Sequence, residues 1–424
     1  MNLRDLALDI RPLRDSRQLR LLLLSQAFVF VGRQFVMVAI PYQAYLLTRS
    51  SLVVGLLGLA QLLPLVATSL YAGAVVDSRD RRIVLLWAQG IMAVSAMVLL
   101  LASVHGPPPL WVLYAIAGAS GAAFALERPA RQSSIPRLVS RDQVAAAMSM
   151  QQVIFQFALV AGPIAAGAVL AARGAPWAYG TALGLALLAI AGAAAMSPLP
   201  PASAGARVGL RAPAAGLSYV RRRPLLLSIF AADLDAMVFG MPRALFPALA
   251  LAHFGVGAVG LGLLYAGPGI GALAGSLLSG WVSRVEYQGR LVLVSIAAWG
   301  LAITLFGLVP WFWLAVLLLA AAGAADMLSA VFRNTIVQLS VPDGFRGRVS
   351  SLDSMVVLGG PALGDLEAGA VASVTSVEFS VVSGGLACIA GIVLLGAVFP
   401  ALRRYRHAPG GVPAQPAPEA PLVG

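Results

Sequence analysis

The sequence predicts an all-α membrane protein of about twelve transmembrane helices in two pseudo-symmetric six-helix halves, and three observations carry that prediction. Of 424 residues, 59% are hydrophobic and 11% charged, with a mean hydropathy of +0.88, which leaves too little polar surface to cover a water-soluble globule of this size. The apolar residues fall in long runs that match the ~20 residues a helix needs to cross a bilayer, rather than the short alternating segments of a β-barrel. A stretch that follows the fourth run, RQSSIPRLVSRDQVAAAMS (131–149), recurs after the tenth as RNTIVQLSVPDGFRGRVSS (333–351).

In chain order the expected spans are 20–47, 51–76, 83–104, 110–128, 143–172, 176–196, 224–252, 256–282, 290–309, 311–334, 346–374 and 378–401. Residues 198–216, PLPPASAGARVGLRAPAAG, form a Pro-, Gly- and Ala-rich connection between the sixth and seventh spans. The expected organisation is therefore an N-terminal half (1–197), a cytoplasmic linker (198–223), a C-terminal half (224–402) and a Pro-rich disordered tail (403–424). Met1 to Arg20 mixes Arg with Asp, lacks a small-residue cleavage site and runs straight into the first span, so no cleavable signal peptide is expected.

Arginine distribution gives the orientation. All 29 basic residues are Arg, a bias that with the abundant Ala, Gly and Pro fits a GC-rich bacterial genome. One set of connections carries Arg79, Arg81, Arg82, Arg137, Arg141, Arg207, Arg211, Arg221 to Arg223, Arg284 and Arg346; the alternate set carries only Arg49 and Arg173. The positive-inside rule then places both termini in the cytoplasm, in a bacterial inner membrane. The net charge of +12 is scattered over membrane loops instead of gathered on one basic face, which argues against a nucleic-acid partner.

Several chemistries are disfavoured. The three histidines are far apart and without metal spacing, and Cys388 is the single cysteine, so no metal site and no internal disulfide is expected. The chain lacks Lys and any phosphate-cradling loop, which argues against an ATP-driven pump, and no nucleophile elbow is present. No cofactor and no enzymatic activity are expected.

Ionisable residues within spans are costly in hydrocarbon and mark pathways or buried pairs. Arg33 lies in the first span; Asp233, Asp235 and Arg243 lie in the seventh, its counterpart in the repeat. Arg33 precedes Pro41 by eight residues and Arg243 precedes Pro247 by four, so the two arginines sit about one turn apart in the repeat frame and can both face a central cavity. There a guanidinium supplies charge and a planar donor fork to an anionic substrate; the alternative is a structural pair, such as Arg243 with an acid of its own helix. Gln152, Gln156 and Phe246 are further candidate substrate contacts, with helix packing as the competing role. Asp233, Asp235, Asp326 and Asp365 are the candidate proton carriers, because a carboxylate in an apolar cavity can alternate between charged and neutral forms. Glu127 and Arg131, spaced i and i+4, read as a structural pair.

The stretch YAGAVVDSRDRR (71–82) packs charge against the end of the second span. A carboxylate at a helix C-terminus is repelled by its own dipole, so Asp77 needs a positive partner, with Arg81, Arg82 and the start of the eleventh span near Arg346 as candidates. The equivalent segment of the second half, GWVSRVEYQGR, has Gly280 and Arg284 where the first has Gly73 and Asp77. The competing reading is a solvated topology signal.

Gly73, Asp77, Arg81 and Arg82 fit the pattern GxxxD(R/K)xGR(R/K), and on these residues the whole chain resembles the major facilitator superfamily. Ser78 and Asp80 depart from it, standing where a basic residue and a Gly are usual. The resemblance implies a gating role for this motif. In the fifth span, AGPIAAG resembles the antiporter element GPxxGG at Gly162, Pro163 and Gly167, with Ala166 in place of a glycine. DLDAMVFGMPRALFPALA, GLLYAGPGIGALAGSLLSG, ERPARQSSIPRLV, APWAYG and VPDGFRGRVSSL resemble the enterobactin-exporter branch, and because the first of these stretches begins with Asp233, that acid is the first choice of proton carrier. That implies a proton-driven inner-membrane exporter of a small molecule, acting as a monomer by alternating access, with a siderophore as first choice of cargo and a macrolide or other drug as the alternative. A membrane sensor or scaffold that keeps the fold without transporting is the reading from another class.

Overall fold

In the computed structural model the described residues are 9–201, 211–277 and 285–406; Arg207, Gly280, Arg284 and the tail from 407 lie outside them. Twelve helices among the described residues are long and apolar enough to cross a membrane. They are α1 (Arg17–Thr48), α2 (Ser51–Ser78), α3 (Arg81–His105), α4 (Leu110–Leu138), α5 (Val144–Arg173) and α6 (Ala175–Ala194). After a short linker helix, Arg211–Arg221, follow α7 (Pro224–His253), α8 (Gly257–Leu277), α9 (Gln288–Leu308), α10 (Phe312–Ser340), α11 (Asp343–Val374) and α12 (Val377–Val398).

Local chemistry sets many of the boundaries. Ser16, Ser50 and Ser376 cap α1, α2 and α12 by accepting N–H groups of Leu19, Val53 and Phe379. Arg49, at φ 50°, turns the chain sharply between α1 and α2. Two helices outrun their expected spans by six residues or more: α4 continues ten residues past 128 to Leu138, and α10 six past 334 to Ser340. Both extensions carry polar residues that suit water beyond the bilayer, so hydropathy could not reveal them.

The seventh span is not one continuous helix. It is α-helical over Pro224–Phe239, breaks at Gly240–Pro242, makes a 3-10 turn at Arg243–Leu245, and resumes through Phe246–Ala248 into a π turn at Leu249–His253. Pro242 and Pro247 donate no backbone N–H, and the Trp299 indole donates to Gly240 O at 2.9 Å, satisfying a carbonyl left over by the break.

The first six and last six helices meet most closely through α2 with α11 and α5 with α8. A Cβ on Gly55 would stand 2.4 Å from Asp365 O, and one on Gly167 2.5 Å from Ala258 O, so only glycine permits these approaches. The contacts made by Ser51, Gly55, Gly58 and Leu62 all lie in the half of α2 remote from the termini. The bundle is thus drawn together at the end opposite the termini.

At the terminal end the linker helix lies on the start of α11. Tyr219 stacks on Phe345 with centroids 4.3 Å apart, and Arg223 and Arg348 cover the outer faces of the two rings at 4.7 and 5.1 Å. This part of the expected linker is therefore helical and docked.

Candidate functional site

Helices α1, α2, α4, α7, α8 and α11 surround a cavity opening onto about 690 Å³ of empty space. Val36, Met37, Ile40, Val54 and Leu57 supply apolar wall, while Arg33, Gln61, Ser120, Arg243, Tyr265 and Asp365 bring polar groups to it. A few convergent polar groups in a largely apolar hollow is the ordinary form of a small-molecule site.

The two arginines singled out from the sequence share this cavity but differ in state. Arg33 places its guanidinium 3.7 Å from the centroid of the Phe124 ring, and among the described residues it has no ion-pair partner. Stacking leaves the edge of the fork available to a ligand. Arg243 instead binds Asp365 at 3.0 Å, and Asp365 also accepts the Ala244 N–H at 3.1 Å. The break in α7 creates this arrangement: it frees the Ala244 N–H and turns Arg243 toward α11. The pairing acid lies on α11, not on the helix of Arg243.

The remaining acids have separate environments. Asp233 is buried and hydrogen-bonded to Arg333 of α10. Asp326 lies 3.8 Å from the same guanidinium and lines a second cavity with Arg243, Phe246 and Trp299. Asp235 faces α12, where Gly391 leaves it room and the Cys388 thiol lies beside it. Neither Asp233 nor Asp235 lines the main cavity, because the stretch of α7 that reaches it lies beyond the break.

Three candidate substrate contacts fall elsewhere. Phe246 is 1% exposed, set edge-to-face against Tyr265 and Phe306, and is a packing residue. Gln152 is exposed and Gln156 half-buried, and neither lines the main cavity; the phase of α5 buries Gln151 instead. Of the antiporter-like residues, Gly162 packs on Gln34 of α1, while Pro163 O and Gly167 meet Gly262 and Ala258 of α8. Their contribution here is close helix approach.

The charged knot behaves differently from its expectation. Arg81 bonds Ser133 Oγ at 2.8 Å and Pro200 O at 3.4 Å, Arg82 bonds Ala194 O, and neither pairs with Asp77. Among the described residues Asp77 has no ion-pair partner, on α11 or elsewhere. Asp80, the departure from the motif, caps α3 through the Arg82 N–H at 2.9 Å and accepts the Leu199 N–H at 3.0 Å. The knot thereby grips the chain as it leaves α6. Gly73 sits half-buried one turn before Asp77.

Sequence reasoning missed Phe124, Gln61 and Arg333 as site residues. The repeat contained a signal for Arg333, since it aligns with Arg131, whose guanidinium holds Glu127 at 3.3 Å and Gln26 at 3.1 Å. Phe124 carries no such mark, being an ordinary apolar residue until Arg33 is placed over it.

A family model described as transmembrane secretion effector matches residues 9–412. The enterobactin exporter EntS of Citrobacter koseri is 28% identical over 410 residues, covering 96% of this chain and 98% of that protein. EntS of Shigella boydii serotype 4 is 28% identical over 415 residues, covering 98% and 99%. Among solved structures, the nucleoside transporter NupG superposes with TM-score 0.71 at 15% identity, over 92% of this chain and all of that one. A bacterial homologue of the human lysosomal transporter Spinster, inward-facing and unoccupied, gives 0.69 at 16% identity, over 92% and 98%. These structural likenesses carry the fold.

Proposed function

The chain belongs to the transmembrane secretion effector family of the major facilitator superfamily, a transporter rather than an enzyme, and from that membership we propose that it exports a siderophore across the bacterial inner membrane in exchange for protons. The observation that carries the cargo reading is the Arg33–Phe124 stack in an apolar cavity. A catechol-bearing ligand presents flat rings for walls such as Met37, Ile40 and Leu57, and oxygen anions or hydroxyls for a guanidinium whose donors are not taken by a carboxylate. Near full-length similarity to two enterobactin exporters supports the same cargo class.

Alternating access is the matching mechanism. The glycine-mediated approaches of α2 to α11 and α5 to α8 close one end, and the Arg-rich loops of the other end support reading it as cytoplasmic. In this reading the cavity faces the cytoplasm and loads there. Asp77, without a partner in this state, engages the start of α11 when the cytoplasmic end closes, and one chain suffices for the cycle.

A second reading, export of a macrolide or another drug, is favoured by the engagement of Arg243 with Asp365, which leaves Arg33 as the single unpaired cation of a mostly apolar cavity among the described residues. Deleting the gene and analysing iron-starved culture medium by mass spectrometry separates the two. Loss of the secreted siderophore is expected; undiminished secretion together with new antibiotic sensitivity overturns the siderophore reading in favour of drug efflux.

A further inference from the structure

We propose that Asp326 is a proton-binding site of this transporter, and that Asp233, three helices earlier in the chain, serves as the fixed counter-ion of Arg333. The inference rests on the export reading for its use in transport, although the protonation itself does not require it.

The argument begins with a charge count. Helices α7 and α10 bring two carboxylates, Asp233 and Asp326, to the single guanidinium of Arg333. With both acids ionised the group carries one uncompensated negative charge in a bundle interior, a state that a single bound proton relieves. Geometry then selects the acid. Asp233 is hydrogen-bonded to Arg333 and its side chain is 6% exposed, so its charge is held; Asp326 stands 3.8 Å off without a hydrogen bond, and its side chain is 34% exposed to the second cavity.

The other half of the molecule supplies an internal control. In the register that aligns Arg131 with Arg333, Glu127 corresponds to Ser329 and Phe124 to Asp326. In the first half the acid Glu127 pairs with Arg131, which also holds the neutral Gln26, and Arg33 lies near enough to act on Glu127 as well. In the second half the acid comes from α7, and Asp326 is the extra carboxylate. Where the first half sets Phe124 under Arg33, the second sets Asp326 in a cavity with Arg243.

Ser329 is an independent sign of a missing partner. It is fully buried on the face of α10 shared by Asp326 and Arg333, three residues after one and four before the other, and its hydroxyl has no hydrogen bond among the described residues. A protonated Asp326, directly or through a water, can satisfy it. The charged groups facing the cluster from the surrounding helices are Arg243 of α7 across the cavity and Asp353 of α11, which in turn feels Arg128 of α4; α8 and α9 contribute Pro268, Trp299 and Ile303. The chemistry is a simple proton exchange between water and the Asp326 carboxylate, with no other bond made or broken. With the proton bound the cluster is neutral and can be sealed from water; without it, the excess charge favours a conformation in which the cavity stays hydrated.

The test is pH-difference infrared spectroscopy of the full-length protein in liposomes without substrate, which reads the C=O stretch of a protonated carboxyl group. Asp326→Asn is expected to lose one such band, Asp326→Glu to retain it at a shifted frequency, and Asp365→Asn to leave it in place. An unchanged band set in Asp326→Asn, or no band attributable to the side chain in Asp326→Glu, overturns the proposal. Accumulation of enterobactin by inverted vesicles under a proton gradient tests the export reading separately. Failure of wild-type vesicles to accumulate it sinks that reading while the band assignment stands; accumulation with an unchanged Asp326→Asn spectrum sinks the proton site alone.

Discussion

Asp80 accepts the backbone N–H of Leu199 at 3.0 Å, so the loop between α2 and α3 holds the root of the chain that connects the two halves. The same carboxylate caps α3. Loss of a capping side chain costs about 0.5–2 kcal/mol, and the grip on Leu199 is lost with it. Asp80→Ala is therefore expected to lower thermal stability in detergent and to reduce transport. Asp77→Asn, which removes no contact present here, is expected to leave stability unchanged while impairing transport. Equal stability losses in the two variants would make Asp77 a structural residue rather than a gating one.

Arg33 offers a cation whose guanidinium is held by a ring rather than by a carboxylate. Arg33→Gln is expected to weaken enterobactin binding by tenfold or more, about 1.4 kcal/mol, with little change in stability. Arg33→Lys keeps the charge and loses the planar fork, so intermediate affinity is expected. Fluorescence titration in detergent measures all three; unchanged affinity in Arg33→Gln removes this residue from the substrate site.

The pair between Arg243 and Asp365 is partly desolvated, at 23% and 15% side-chain exposure. Removing one member leaves the other unpaired, at a cost on the order of 3–5 kcal/mol for a fully buried pair and less here. Arg243→Gln with Asp365→Asn is expected to be more stable than either single variant, a non-additivity that a double-mutant cycle in thermal unfolding reads directly. Additive losses mean that the two side chains act independently.

Phe246 separates packing from recognition. Its burial against Tyr265 and Phe306 predicts that Phe246→Ala costs about 3–5 kcal/mol in stability. Substrate affinity, measured on the fraction that remains folded, is expected to stay within a few-fold of wild type. A selective loss of affinity would show that the ring touches the ligand.

Much of this architecture was legible because hydrocarbon constrains sequence strongly: a polar residue within a span must have a reason, and the runs that contain it must be helical. Arg33, Arg243 and Asp365 could be nominated in that way, and the structure gathers all three around one cavity. What could not be read were partners from distant helices. Asp233 meets Arg333 across a hundred residues, and the pairing of Arg243 with Asp365 depends on a helix break whose position is set by Gly240, Pro242 and the Trp299 indole together. The reach of α4 and α10 past the membrane was hidden for the opposite reason, since water imposes no apolar pattern on a helix that enters it.

The two anchored ends of the linker also set a mechanical length. Asp80 fixes the chain at Leu199 on the first half, and the Tyr219–Phe345 stack fixes the linker helix to α11 on the second. Between Pro200 and the start of that helix at Arg211 lie ten residues, which fully extended span at most about 35 Å. In the proposed rocking cycle the number of residues between these two anchors bounds how far Leu199 and the linker helix can separate, and shortening the connection step by step is expected to abolish transport abruptly rather than gradually.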